Sequence, residues 1–299
     1  MPQPLTRKFG LADLRQARAS GQKLAMLTCY DATMARLMQA AGVPLLLVGD
    51  SAGNVVMGHG STVPVTLDQI IWMTQSVRRG APLAYVIADM PFGSYHGSSA
   101  KAIANAVRVV KESGCDAIKL EVTANQFHLM RELADAGIAV FAHLGLRPQS
   151  IGVLGNYRYQ GRTASEAGSI VHQAQTMEDC GAVAILLEAV PPEVSARVVE
   201  RTEVPVIGCG AGPACHGHVV VTHDLLGLTD SVPRFVPVLS DLSAQMTTAF
   251  DQYVQKIAKG EYPAKEHEYA MPAAEREAFQ KQQTAESAFR DFDDDDIPF

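Results

Sequence analysis

Seven residues set the chemistry open to this chain: Asp50, Ser51, Asp89, Lys119, Glu121, His143 and Glu188. They lie within or at the end of short apolar runs: Leu45-Leu46-Leu47-Val48-Gly49-Asp50-Ser51, Ala84-Tyr85-Val86-Ile87-Ala88-Asp89, Ala117-Ile118-Lys119-Leu120-Glu121, Ala139-Val140-Phe141-Ala142-His143 and Ala184-Ile185-Leu186-Leu187-Glu188. Singly, each has a structural explanation. Asp and Ser are ordinary turn formers, Lys119 can pair with Glu121 or Asp89, His143 can be a satisfied core histidine, and Glu188 can cap the helix that Pro191 begins. The repetition needs more, because acids are rare inside apolar elements and an unpaired buried charge is costly. Carboxylates gathered at one strand-end mouth would raise one another's pKa, and a cation removes that conflict. Oxygen donors without a Cys or His cluster point to a hard ion, Mg2+ before Zn2+, with water and substrate oxygens completing an octahedron. Lys119 adds a positive point for a substrate carboxylate. Such a site suits a 2-oxo acid: the ion stabilises its enolate and a spare carboxylate takes the proton beside the ketone. These residues alone name neither the acid nor the electrophile.

The elements that must position them read as alternating strands and helices. Leu24–Cys29 is a first strand, and Asp31 precedes an amphipathic helix that stops at Gly42. Thr66 and Gln69 form a capping box for the helix that follows the loop after Ser51. Further helices are expected at 99–113, 124–135, 164–179 and 240–258, with a seventh strand at 204–208 and an eighth at 219–221, followed by His223-Asp224. Lys119 and Glu121, two apart on one strand, share a side. Eight βα-like steps without a linker fit a closed (β/α)8 barrel better than an open doubly wound sheet, and no GxGxxG follows the first strand. Residues 1–263 read as one barrel domain with a short N-terminal helix, and 264–299 as an extension, helical and then acidic. Long glycine-rich loops at 52–66 and 146–163 sit at strand ends, where loops carry function.

The 299 residues carry a formal net charge of -7, with 47% hydrophobic and 19% charged residues, a globular composition. No basic block suggests nucleic acid, and no run is long enough for a membrane span. The amino terminus lacks a signal-type apolar segment, so a cytoplasmic location is expected. Cys29, Cys115, Cys180, Cys209 and Cys215 are scattered and read as packed thiols.

The segments VGDSAGNVVMGHGSTVPVTLD, ADMPFGSY, IKLE, HLGLRPQS, YRYQGR, LLEAVP and VIGCGAG, in this order, resemble the ketopantoate hydroxymethyltransferase family over roughly residues 5–265. The resemblance implies a (β/α)8 TIM barrel of the phosphoenolpyruvate/pyruvate type, assembled as a homodecamer of two pentameric rings. It implies hydroxymethyl transfer from 5,10-methylenetetrahydrofolate to 3-methyl-2-oxobutanoate through a magnesium-stabilised enolate, giving 2-dehydropantoate for pantothenate synthesis. By position it implies Asp50, Asp89 and Glu121 for Mg2+, and Asp50, Ser51, Asp89 and Lys119 for the oxo acid. Glu188 matches the proton acceptor, and His143 matches a motif histidine behind these residues. Loops 52–63 and 146–162 are the candidates for holding the folate. One departure stands out: Cys215-His216-Gly217-His218 replaces a family pattern that reads CDGQ. A lyase or aldolase on the same barrel and a non-catalytic barrel are the alternatives; turnover that requires the folate excludes the first, and the intact set of acids speaks against the second. Asp89→Asn is expected to weaken Mg2+ and oxo-acid binding with little loss of fold.

Overall fold

The computed structural model describes residues 4–293. The expected acidic end at 294–296 lies outside those residues. Eight parallel strands close into a barrel in sequence order: β1 Leu24–Thr28, β2 Leu45–Val48, β3 Tyr85–Asp89, β4 Ala117–Leu120, β5 Val140–Gly145, β6 Ala184–Glu188, β7 Val206–Cys209 and β8 Gly217–Val220. Because all are parallel, every carboxyl end opens at one mouth.

Side-chain alternation along the strands decides what enters that mouth. Leu45 and Leu47 fill the barrel interior with Tyr85, Ile87, Ala117, Phe141, Ala184 and Leu186, while Leu46, Val86, Ile118, Ala142, Ile185 and Leu187 pack outward under the helices. Counting on in steps of two from Ile87, Ala117, Phe141 and Leu186 reaches Asp89, Lys119, His143 and Glu188. The same alternation that fills the core therefore brings these polar groups to the top of the interior. The N-terminal helix Leu11–Ser20 adds Leu14 and Ala17 to the interior cluster.

The expected helices form at Ser99–Ser113, Phe127–Asp135, Ala164–Asp179 and Leu242–Ala258. The Thr66 capping box is present, with Gln69 N donating to Thr66 Oγ1 at 3.3 Å and Thr66 N donating to Gln69 Oε1 at 2.8 Å. Three local details differ from the sequence reading. Strand β2 ends at Val48, so Asp50 lies in the turn beyond it. The glycine-rich loops contain single-turn helices, Ala52–Val55 and Ile151–Leu154, too short to leave a readable period. The eighth strand begins at Gly217, where a Cβ would stand 2.5 Å from the Leu24 carbonyl oxygen, so glycine permits its pairing with β1.

His216, where the resemblance implies an acid, accepts from the Val206 amide through Nδ1 at 3.0 Å. Asp116, before β4, likewise accepts from the Val86 amide at 2.8 Å, in addition to its ion pairs with Lys8 and Arg78. The imidazole thus keeps an acceptor at the foot of the barrel.

The chain divides into two compact units, Met1–Leu242 and Ser243–Phe299. Within the second, Tyr262 packs its ring 5.5 Å from Tyr253 and 5.1 Å from His267, and a helix spans Ala273–Asp293. Among the described residues, no helix is long and apolar enough to cross a membrane.

Candidate active site

Register first sets the acids beside their cation. Asp89 pairs with Lys119 across β3 and β4, and Lys119 Nζ donates to Asp89 Oδ2 at 2.6 Å and to Glu121 Oε1 at 3.4 Å. Asp89 Oδ2 also accepts from the Asp50 amide at 3.2 Å, which ties the β2 turn to β3. Asp50, Asp89, Lys119, Glu121 and His143 are all buried.

A second layer holds Glu121. Its Oε2 accepts from the Gln149 amide at 3.0 Å. The Gln149 side chain is itself pinned, accepting from Tyr95 Oη at 2.7 Å and donating to the Met90 carbonyl at 3.0 Å. Ser51 Oγ lies 2.9 Å from Tyr30 Oη. Tyr95, Gln149 and Tyr30 had no role in the sequence reading. Two of them lie inside the quoted segments ADMPFGSY and HLGLRPQS, but their residue types alone do not mark them.

His143 Nε2 lies 2.7 Å from the Leu146 carbonyl oxygen. A carbonyl only accepts, so this contact places the proton on Nε2 and leaves Nδ1 as an acceptor, 3.6 Å from Glu121 Oε1. Burial, reinforced by Lys119, holds the His143 pKa well below the ordinary histidine value, so the ring is neutral. Glu188 Oε2 lies 3.5 Å from His143 Nε2, and its side chain stays 18% exposed, opening on the cavity. Ala189, which follows it, has a φ of +47°, the one left-handed non-glycine among the described residues. Such strain is found where a turn must aim a functional group.

One buried ammonium faces four carboxylates. Burial opposes the charge on Lys119, yet Asp89, Glu121 and Asp50 hold its pKa well above the usual lysine value. Burial pushes Glu188 up to about 7, with Asp50 and Asp89 acting the same way and Lys119 against. Glu121 is also raised to about 7 by burial, opposed by Lys119 and assisted by Asp50 and Glu188. Asp89 is raised well above the carboxylate range for the same reasons.

Asp50 Oδ2, Asp89 Oδ1 and His143 Nδ1 are buried without a hydrogen-bond partner among the described residues. Orphaned acceptors at a mouth already rich in negative charge are what a cation would satisfy. No group of three His, Cys, Asp or Glu side chains among the described residues forms a ready-made metal cage.

The cavity around these groups is about 750 Å3. Both glycine-rich loops reach it, through Asn54 and Thr62 on one side and Pro148, Tyr157 and Tyr159 on the other. Cys209 lines it too, but burial and Glu188 keep the thiol well above its ordinary pKa, consistent with a packed rather than reactive sulfur.

A model of the ketopantoate hydroxymethyltransferase family matches residues 8–265. The chain belongs to that family. Ketopantoate hydroxymethyltransferase relatives include the 3-methyl-2-oxobutanoate hydroxymethyltransferase of Frankia casuarinae, 44% identical over 270 residues, which are 90% of this chain and 90% of the relative. The enzyme of the same name from Geobacter metallireducens is 39% identical over 89% of this chain and its own full length, 100%. The activity is therefore transfer of a hydroxymethyl group to 3-methyl-2-oxobutanoate, in pantothenate synthesis. Among solved structures, a phosphonopyruvate hydrolase complex with oxalate and Mg2+ superposes with a TM-score of 0.58 at 16% identity, covering 93% of this chain and 96% of the other. A 2,3-dimethylmalate lyase, described as a PEP mutase/isocitrate lyase superfamily member, gives 0.55 at 16% identity, covering 91% and 98%. These two share the closed eight-stranded barrel fold of this chain.

Proposed function

We propose that this transferase binds 3-methyl-2-oxobutanoate with Mg2+ at Asp50 and Asp89, and takes its one-carbon unit from 5,10-methylenetetrahydrofolate. The orphaned Asp50 Oδ2 and Asp89 Oδ1 in one mouth are the observation that carries the metal. Glu121, expected beside them, has Oε1 near Lys119 and His143 and Oε2 on the Gln149 amide, so it acts on the ion from behind these contacts. Mg2+, when bound, supplies the positive charge that holds the carboxylate and ketone oxygens and disperses the charge of the enolate.

Lys119 attracts the substrate carboxylate while staying paired to Asp89. Ser51, held against Tyr30, offers a hydroxyl to the same oxygens. Glu188 takes the C3 proton: it faces the cavity, and its pKa of about 7 makes it a competent base near neutral pH. Neutral His143, whose Nε2–H donates to the Leu146 carbonyl, stands beside Glu188 without competing for that proton. Water hydrolyses the folate methylene to a one-carbon unit at the aldehyde level, its C–N bonds break as tetrahydrofolate is released, and C3 attacks that carbon while its oxygen takes a proton to become the new hydroxyl.

The reading includes self-assembly, as the family resemblance implies. Helix Leu242–Ala258 supports it, since Met246, Phe250, Val254 and Ile257 recur at helical spacing and are exposed. The site reading is tested by a crystal soaked with Mg2+ and 3-methyl-2-oxobutanoate. Density for an octahedral ion on Asp50 and Asp89 is expected; an ion on other residues overturns the assignment.

A further inference from the structure

We propose that Asp224 recognises the pyrimidine edge of the folate's pterin, with Phe235 as a flat wall beside it; this rests on methylenetetrahydrofolate being the donor. The cavity is far larger than a small branched oxo acid requires. The residues assigned to that acid come from the ends of β2, β3, β4 and β6. In a closed ring in sequence order, β8 lies across from β4. The wall beyond β7 and β8, with Val219, Val221, Asp224, Pro233 and Phe235, has no part in holding the acid.

Asp224 is 6% exposed and lines this cavity. Its Oδ1 accepts from Thr229 Oγ1 at 2.6 Å, and no other hydrogen bond or ion pair to its carboxylate exists among the described residues. Arg234 also lines the cavity but is exposed and makes no ion pair with Asp224. The short helix that carries it is anchored to the end of β1: Thr222 N donates to Thr28 Oγ1 at 3.0 Å, and Thr222 Oγ1 donates to the Thr28 carbonyl at 2.6 Å. A carboxylate set into an apolar wall without a cation calls for neutral donors from a ligand.

The pterin of a reduced folate carries N3–H and a 2-amino group side by side, a donor pair that matches one carboxylate. It is also flat and largely apolar on its faces. Gly210 has a φ of +63°, and a Cβ there would lie 2.6 Å from Phe235 Cδ1. Glycine at 210 thus lets the Phe235 ring close on the end of β7 and form a flat surface. With its pyrimidine edge on Asp224, the pterin turns its methylene-bearing side into the mouth, toward the wall that carries Glu188.

The test measures binding of tetrahydrofolate and of its 2-desamino analogue to the intact enzyme and to Asp224→Asn by calorimetry. Asparagine keeps an acceptor for Thr229, so the fold is spared. Tetrahydrofolate is expected to bind Asp224→Asn about 10- to 100-fold more weakly, while the analogue, which keeps N3–H alone, loses distinctly less. Equal tetrahydrofolate affinity in the two proteins overturns the proposal. So does an equal loss for both compounds, which would mark Asp224 as merely structural. Phe235→Leu should weaken both compounds, and unchanged affinity there overturns the role of the ring. If the unaltered enzyme binds no tetrahydrofolate and turns over without folate, the donor reading itself fails, and it does so before any variant is compared.

Discussion

Gly145 lies against Glu188 across β5 and β6 so closely that a Cβ on it would stand 2.2 Å from the Glu188 carbonyl oxygen. Its φ is +95°, and the next amide, Leu146 N, donates to that same oxygen at 2.9 Å. The aim of the proposed base therefore depends on a residue with no side chain. Gly145→Ala should lower kcat/KM about 100-fold and cost on the order of 1–3 kcal/mol of stability. Steady-state kinetics with urea unfolding checks this; ordinary kinetics in the variant would show that Glu188 tolerates displacement.

Asp50 and Asp89 differ as probes of the metal. Asp89 is bonded to the buried Lys119, so Asp89→Asn disturbs a buried ion pair and should cost stability as well, on the order of 3–5 kcal/mol if the pair is broken outright. The sequence reading offered that pair as the structural explanation of Lys119 but did not carry it into the expected effect of Asp89→Asn. Asp50→Asn is the cleaner change: Mg2+ affinity should fall about 10-fold or more with Tm held. Calorimetric Mg2+ titration in the presence of the oxo acid reads it, and undiminished affinity would move the metal elsewhere.

The two glutamates raised to about 7 from 4.5 make the metal-free protein pH-sensitive. Between those values the folded state holds more protons than the unfolded state. The glutamates' contribution to stability is therefore fullest below about 4.5 and is lost as pH rises through about 7. Mg2+ favours the deprotonated acids, so the Tm gain on adding it should be larger at pH 8 than at pH 6. Thermal melts at both pH values decide this; an equal or reversed gain contradicts the coupling.

Tyr95 reaches the site only through Gln149. Tyr95→Phe leaves Gln149 Oε1 without its donor and loosens the amide that holds Glu121. A loss of about 1 kcal/mol in stability is expected, with a raised KM for the oxo acid. Unfolding curves and kinetics together test it, since a purely structural role would leave KM unchanged.

Much of this was legible in the sequence because a parallel barrel buries both faces of each strand. The runs ending at Asp89, His143 and Glu188 stand out for that reason, and Lys119 stands out as a charge within one. Alternation then carries those groups into the interior. Asp50 follows a turn rather than the alternation, so its run marked its place but not its geometry. Tyr95, Gln149 and Asp224 were not assigned roles, because each acquires one from partners distant in sequence or from a cavity wall. At His216, where the resemblance implied an acid, an imidazole nitrogen accepts the Val206 amide as Asp116 accepts that of Val86. The division after Leu242 has no signature in composition.

The central claim is that Glu188 removes the C3 proton of an oxo acid held with Mg2+. Deuterium incorporation at C3 of 3-methyl-2-oxobutanoate, followed by NMR in D2O with Mg2+ and no folate, measures that step alone. The unaltered enzyme should catalyse exchange that is lost on chelation, and Glu188→Gln should slow it by about 100- to 10,000-fold. Exchange at the unaltered rate in Glu188→Gln, or exchange indifferent to Mg2+, would contradict the account.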